Sequence, residues 1–284
     1  MFVSKMFGNI IFLLLPIVLS ATKFCSDKEC ARSNSRIASG QISVRQSRPF
    51  QVALYSRVGA DGPLGFCGGS LIHQQWVITA AHCCYHDSIQ VDHIQAILGA
   101  YSLYDRYENG RRVVNVDTVV THPEYQPETF DNDLALLRLA NSMQITDTID
   151  IIRLPYLSQV NANFAGQGAT ASGWGIAAEG VTFVSPTLRE YFMSVITNTH
   201  CNNLYQNSLS PNVICGLSTN GAGTCKGDNG GPMTIFLTAT EETILVGVTS
   251  FVDESGCNTE LPSVFTRVQR YLDWISEITG IVLD

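Results

Sequence analysis

The chain has 284 residues, 45% of them hydrophobic and 15% charged, which supplies enough apolar material for a large buried core and marks a globular protein. A formal net charge of -8 argues against a phosphate-binding surface, because nucleic-acid binders present a basic face, so nucleic acid is not an expected partner. Nine cysteines with no CxxC pairing exclude a zinc-ribbon arrangement and suit an oxidising compartment, with an odd thiol left over.

In chain order, residues 1–20, MFVSKMFGNIIFLLLPIVLS, put Lys5 ahead of an apolar run from Ile10 to Leu19, with Ser20 and Ala21 at a cleavable junction. This is the pattern of a secretory signal peptide. The run falls short of the roughly 20 apolar residues that span a bilayer, and Pro16 interrupts it, so an extracellular product without a membrane partner is expected. Residues 21–36, ATKFCSDKECARSNSR, are too few and too polar for a core and read as a propeptide. From Ile37 to Asp284 the chain reads as one domain. The runs QVALY, SLIH, WVITA, RVVNV, LALLRL, ATASGW, MSVIT, MTIFL, ILVGVTSF and SVFTRV predict short strands, separated by Gly, Pro, Asn and Asp. Only the end differs: Val268, Tyr271, Leu272, Ile275 and Ile278 recur at helical spacing and predict a C-terminal amphipathic helix on an all-β body.

Three segments carry the chemistry. WVITAAHCC places His82 after an apolar strand, FDNDLALLRL places Asp133 at the head of another, and CKGDNGGP places Asn229 in a Gly-rich loop. Each alone reads as structural: a satisfied histidine, a cap, a turn. In this order they resemble the trypsin-like (chymotrypsin-fold) serine proteases. RIASG, GFCGGSLI, ASGWG, TSF and PSVFTRV extend the resemblance over essentially everything from Ile37 onward.

The resemblance implies two packed six-stranded antiparallel β-barrels with the site between them. It implies disulfides Cys67–Cys83, Cys201–Cys215 and Cys225–Cys257. Cys25, Cys30 and Cys84 fall outside that set; either Cys25 pairs with Cys30 and leaves Cys84 free, or the propeptide is tied to Cys84. It implies cleavage between Arg36 and Ile37, the new amino terminus pairing with buried Asp228, although IASG stands where the family prefers IVGG. His82 and Asp133 occupy the base and orienting positions, with Ser250 hydrogen-bonded to the carboxylate. The main-chain amides of Gly227 and Asn229 occupy the oxyanion-hole positions. The substrate pocket falls to Gly223, Ser250, Phe251, Val252 and Ser263, with no acid at Gly223 and Val252 narrowing the entrance, which implies a small or medium apolar side chain in the slot. Ala100 replaces a carboxylate of the family's calcium loop, so no metal or other cofactor is expected.

Asn229 departs from the pattern, because it takes the place of the nucleophilic serine. A carboxamide nitrogen is delocalised into its carbonyl and the oxygen has no proton to give, so no acyl-enzyme can form by the usual route. Thr224 offers no substitute hydroxyl, since the family places it at the pocket base. The leading expectation is therefore a secreted, monomeric serine-protease homologue, catalytically inactive, that binds a protein or peptide such as a protease or its substrate. Its alternatives are an active endopeptidase with a small or apolar preference, if Asn229 is a variant of a GDSGGP parent, a protein never processed at Arg36, or a fold that persists by drift without a function.

Overall fold

Strands form where β-branched and aromatic residues alternate with polar ones, and all ten runs quoted above fall on strands of the computed structural model. It describes residues 40–284 except 60, 178–179, 207, 219–220 and 252–260. The signal peptide, propeptide, Arg36, Ile37, Val252, Cys25, Cys30 and Cys257 lie outside the described residues. In chain order the strands are β1 (Gln41–Ile42), β2 (Gln51–Arg57), β3 (Gly65–His73), β4 (Trp76–Thr79), β5 (Tyr85–His86), β6 (Ile89–Gln90), β7 (His93–Leu98), β8 (Arg112–Thr121), β9 (Ala135–Leu139), β10 (Gly168–Gly173), β11 (Arg189–Ile196), β12 (Val213–Leu217), β13 (Pro232–Leu237), β14 (Glu242–Phe251) and β15 (Ser263–Arg267). Two helices are described, α1 (Asn198–Leu204) and α2 (Leu272–Thr279).

The first six-stranded barrel closes in the order β2-β3-β4-β9-β8-β7. The second runs β11-β10-β13-β14-β15-β12 and closes by pairing β11 with β12, while β1 adds to the free edge of β11. Neighbouring strands in both are antiparallel. Inward side chains of the first barrel (Val52, Leu54, Leu71, Ile78, Leu98, Leu137) form its core, and α2 covers one side of it through Tyr271, Leu272 and Ile275. The second barrel is filled by Tyr191, Met193, Ile214, Met233, Ile235 and Phe265. Trp174 is fully buried in a third cluster with Ala53 and Ile97, and its Nε1 donates to the Tyr101 carbonyl at 3.1 Å, so the tryptophan turn of the second barrel is fastened to the first.

The predicted helix is present: Val268 to Arg270 form a 3-10 turn that leads into α2, with Ile275 fully buried and Ile278 half-buried. Six elements lie outside the sequence expectations. The two-residue strands β1, β5 and β6 and the longer β7 and β12 are strands without a predicted run, and α1 forms from Asn-rich sequence of poor helix propensity. Thr197 supplies its start by accepting the His200 N–H at 3.2 Å, and the Cys201–Cys215 disulfide fixes it to β12.

Candidate active site

His82 lies in a 3-10 turn, Ala81–Cys84, directly after β4, and Asp133 stands just ahead of β9, the strand that pairs with β4. That pairing brings them together across 51 residues: His82 Nδ1 is 2.8 Å from Asp133 Oδ2, and the His82 backbone N–H donates to Oδ1 at 2.9 Å. A carboxylate can only accept, so this contact fixes the proton on Nδ1 and leaves the neutral ring a lone pair on Nε2. Ser250 Oγ donates to the same Oδ2 at 2.6 Å. Its direction comes from a bulge: Thr249 faces Phe265 and Phe251 faces Val264, leaving Ser250 as the extra residue of β14, turned toward the other barrel. Thr266 Oγ1 adds a bond to the Asp133 carbonyl at 2.8 Å. Asp133 is fully buried, and these donors are what a buried carboxylate needs.

The imidazole is one-fifth exposed, and its Nε2 lies 3.8 Å from Cys83 Sγ. Phe130 packs edge-on against it at 5.5 Å, continuing through Phe251 at 5.7 Å to Tyr205 at 5.9 Å. Phe130 and Tyr205 had no role assigned from sequence. Phe130 adopts a left-handed φ of 56°, a conformation that the local FDND sequence does not signal.

Asn229 sits in the loop before β13. The Gly68 N–H donates to its carbonyl at 2.6 Å, tying the loop to β3. Gly230 follows with φ of 78°, and a Cβ there would lie 2.1 Å from Thr79 Oγ1 and 3.3 Å from Ala80 N, so only glycine lets the loop reach the residues that lead into His82. The Asn229 carboxamide Oδ1 is buried with no hydrogen-bond partner among the described residues. In the same loop Asp228 N–H donates to Cys225 O, Gly230 N–H to Thr249 O and Gly231 N–H to Asp228 O. The amides of Gly227 and Asn229 donate to none of the described residues.

Asp228 points away from the cleft and is fully buried. Its carboxylate accepts Gly175 N–H at 2.7 Å and Cys225 N–H at 2.9 Å, and a side chain on Gly173 or Gly175 would collide with it. Burial pushes its pKa up to about 6, with those two amides acting against the rise. The expected pairing with Ile37 falls outside the described residues.

Gly223 and Ser263 face each other: a Cβ on Gly223 would lie 3.0 Å from Ser263 Oγ, which accepts the Thr224 N–H at 3.0 Å. Neither carries a charge, and Phe251 flanks them on the strand that carries Ser250. Thr224 Oγ1 is buried without a partner among the described residues. Disulfides Cys67–Cys83 and Cys201–Cys215 are present; Cys225 is also disulfide-bonded, and its expected partner Cys257 lies outside the described residues. Cys84 is a buried free thiol, pushed up by that burial first and by Asp133 second.

Donor atoms of Cys67, His82 and Cys83 lie within 4.8 Å of one another, but both sulfurs are consumed in a disulfide and have no thiolate to offer a metal. In the loop after Ala100, the buried Glu108 carboxylate accepts the Tyr101 and Ser102 amides at 2.8 and 3.0 Å and pairs with Arg45 from the segment ahead of β2, so Glu108 closes that loop.

The trypsin family model matches residues 37–275. A collagenase of Hypoderma lineatum is 35% identical over 248 residues, covering 87% of this chain and 88% of the collagenase. Anionic trypsin of Bos taurus is 32% identical over 269 residues, covering 93% and 96%. A solved structure of HL collagenase superposes with a TM-score of 0.74 at 33% identity, covering 86% of this chain and 99% of the collagenase. With its two barrels and the His82–Asp133–Ser250 contacts at their junction, the chain belongs to the trypsin family of serine proteases.

Proposed function

We propose that this chain is a secreted trypsin-family protein that holds a peptide or protein segment in the inherited cleft without cutting it, and so acts as a binding or regulatory component of extracellular proteolysis. The observation that carries this reading is Asn229: a carboxamide stands where the attacking hydroxyl belongs, beside an imidazole already oriented by Asp133. His82 retains the position of a general base but has no acidic O–H to deprotonate at residue 229. In this reading Gly227 and Asn229 supply oxyanion-hole amides, and Gly223, Ser250, Phe251, Val252 and Ser263 line an uncharged pocket. A charged side chain entering it would be desolvated without a partner, which favours small apolar residues. Cleavage after Arg36 would deliver the Ile37 ammonium to Asp228, offsetting the cost of that buried carboxylate. The protein acts as a monomer, without metal or cofactor.

The test is direct. Protein cut after Arg36, with residue 229 verified as asparagine by mass spectrometry, is offered amide and ester substrates and a fluorophosphonate probe. The reading expects no turnover and no label; covalent labelling of residue 229 would refute it. If the mass shows serine at 229, the alternative of an active endopeptidase takes its place.

A further inference from the structure

The loop between Cys225 and Gly231 uses its amides unevenly. Those of Asp228, Gly230 and Gly231 are spent on carbonyls, whereas the alternate pair, Gly227 and Asn229, donates to nothing among the described residues. Gly227 has a φ of 94° and Gly230 a φ of 78°, so the turn alternates hand on either side of Asp228 and Asn229. Such turns gather N–H groups into a concavity that favours an anion. Lys226, immediately before them, is exposed and has no ion pair among the described residues. It is also the single lysine between Ile37 and Asp284. In a chain of net charge -8, the domain's only lysine stands at this turn.

Resting on the reading that Asn229 cannot be acylated, we infer that the cleft is a receptor for the free C-terminal carboxylate of a peptide, the end that another protease leaves behind. One carboxylate oxygen takes the Gly227 and Asn229 amides, and the other faces Lys226 and the exposed side of His82. Hydrogen bonds to an ionised acceptor are about twice as strong as those to a neutral carbonyl, so these donors discriminate an acid from an amide. Asp133 does not oppose this, because its carboxylate lies behind the ring, on Nδ1, and is occupied by Ser250 as well. The uncharged Gly223–Ser263 wall suits a small terminal side chain, and Phe130, Phe251 and Tyr205 offer an apolar wall to the residues before it.

Three peptides test the inference by calorimetry: acetyl-Ala-Ala-Pro-Ala with a free carboxylate, the same peptide as its C-terminal amide, and an amide ending in Glu. Each is titrated into the full chain and into protein cut after Arg36. The acid is expected to bind at least about tenfold more tightly than either amide in one of these preparations. Lys226→Ala should lose most of that preference and Lys226→Arg should keep it, with thermal melts showing that both variants fold. Equal affinity for acid and amide in both preparations, an amide ending in Glu that matches the acid, or a preference unchanged in Lys226→Ala overturns the inference. Mass spectrometry of the same mixtures separates the two claims: hydrolysis of a longer peptide overturns the underlying reading, whereas absent acid preference without hydrolysis overturns this inference alone.

Discussion

Replacing Asn229 by serine should create a protease. Removing a serine nucleophile costs roughly a million-fold in turnover, about 8 kcal/mol of barrier, and supplying one can recover that much only if every other part is in place. The structure says that most of it is. His82 is held at 2.8 Å by Asp133, Ser250 at 2.6 Å braces the same carboxylate, and the amides of Gly227 and of residue 229 itself donate to none of the described residues. The substitution also removes a buried acceptor that has no partner among the described residues, worth roughly 1–3 kcal/mol, so Asn229→Ser should not cost stability. Allowing about two decades for imperfect placement, a gain of at least ten-thousand-fold in kcat/KM is expected on nitroanilides with a small apolar residue before the scissile bond. In that background Ser250→Ala should lose roughly 10- to 100-fold, the value of a hydrogen bond to a charged group. The assay is stopped-flow turnover on protein cut after Arg36, with fluorophosphonate labelling as an independent count of sites. A variant that melts at the parent temperature yet gains less than tenfold and takes no label would refute the claim that the remaining machinery is preformed.

Other consequences follow from single residues. An Asp228 pKa of about 6, against an ordinary value near 3.9, means that the folded state binds the extra proton across that window, so stability falls as pH rises from about 4 to 6, by about 3 kcal/mol in all. Asp228→Asn should flatten that slope in urea melts of the uncut chain; a slope that persists refutes the assignment. Gly230→Ala combines a left-handed φ with a Cβ 2.1 Å from Thr79 Oγ1 and 2.5 Å from the Gly68 carbonyl, so a loss of roughly 3 kcal/mol or more is expected in denaturant titration. Ile275→Ala, at a fully buried contact between α2 and the first barrel, should cost about 2–5 kcal/mol, and a loss below 1 kcal/mol would mean that the helix is not part of that core.

Legibility in the sequence followed range. Period-two runs such as RVVNV and MTIFL are local, and they mark strands because one face must be buried. β7 carries Ile94, Ala96 and Leu98 on its buried face in alternation with exposed His93 and Gln95, but buried Ile97 breaks the pattern after four residues. β12, VICGL, draws its place from a disulfide and from pairing with β15, neither of which is local. The site divides in the same way. His82, Asp133, Asn229 and Ser250 stand in motifs that can be read directly. The bulge that aims Ser250, the inverted φ of Phe130 and the amides of Gly227 and Asn229, which find no acceptor among the described residues, are properties of backbone geometry, and residue type does not encode them.

That division bears on why so much machinery accompanies a missing nucleophile. Asp133 holds His82 and Ser250 on its carboxylate and Thr266 on its carbonyl, and two of these three partners belong to the second barrel. Removing any of them would leave a buried charge or hydroxyl without a partner, a loss of a few kcal/mol from a fold that has only 5–15 to spare. Packing alone can therefore maintain His82, Asp133 and Ser250, and their presence says little about what the cleft does. Gly227 and Asn229 are different, because their amides donate to none of the described residues, while the turn that presents them is held by the neighbouring amides and by glycines whose positive φ carries no steric cost. If a carboxylate binds there, those donors, with Lys226 beside them, are the part of the site that reads it, and the comparison of acid with amide decides the matter.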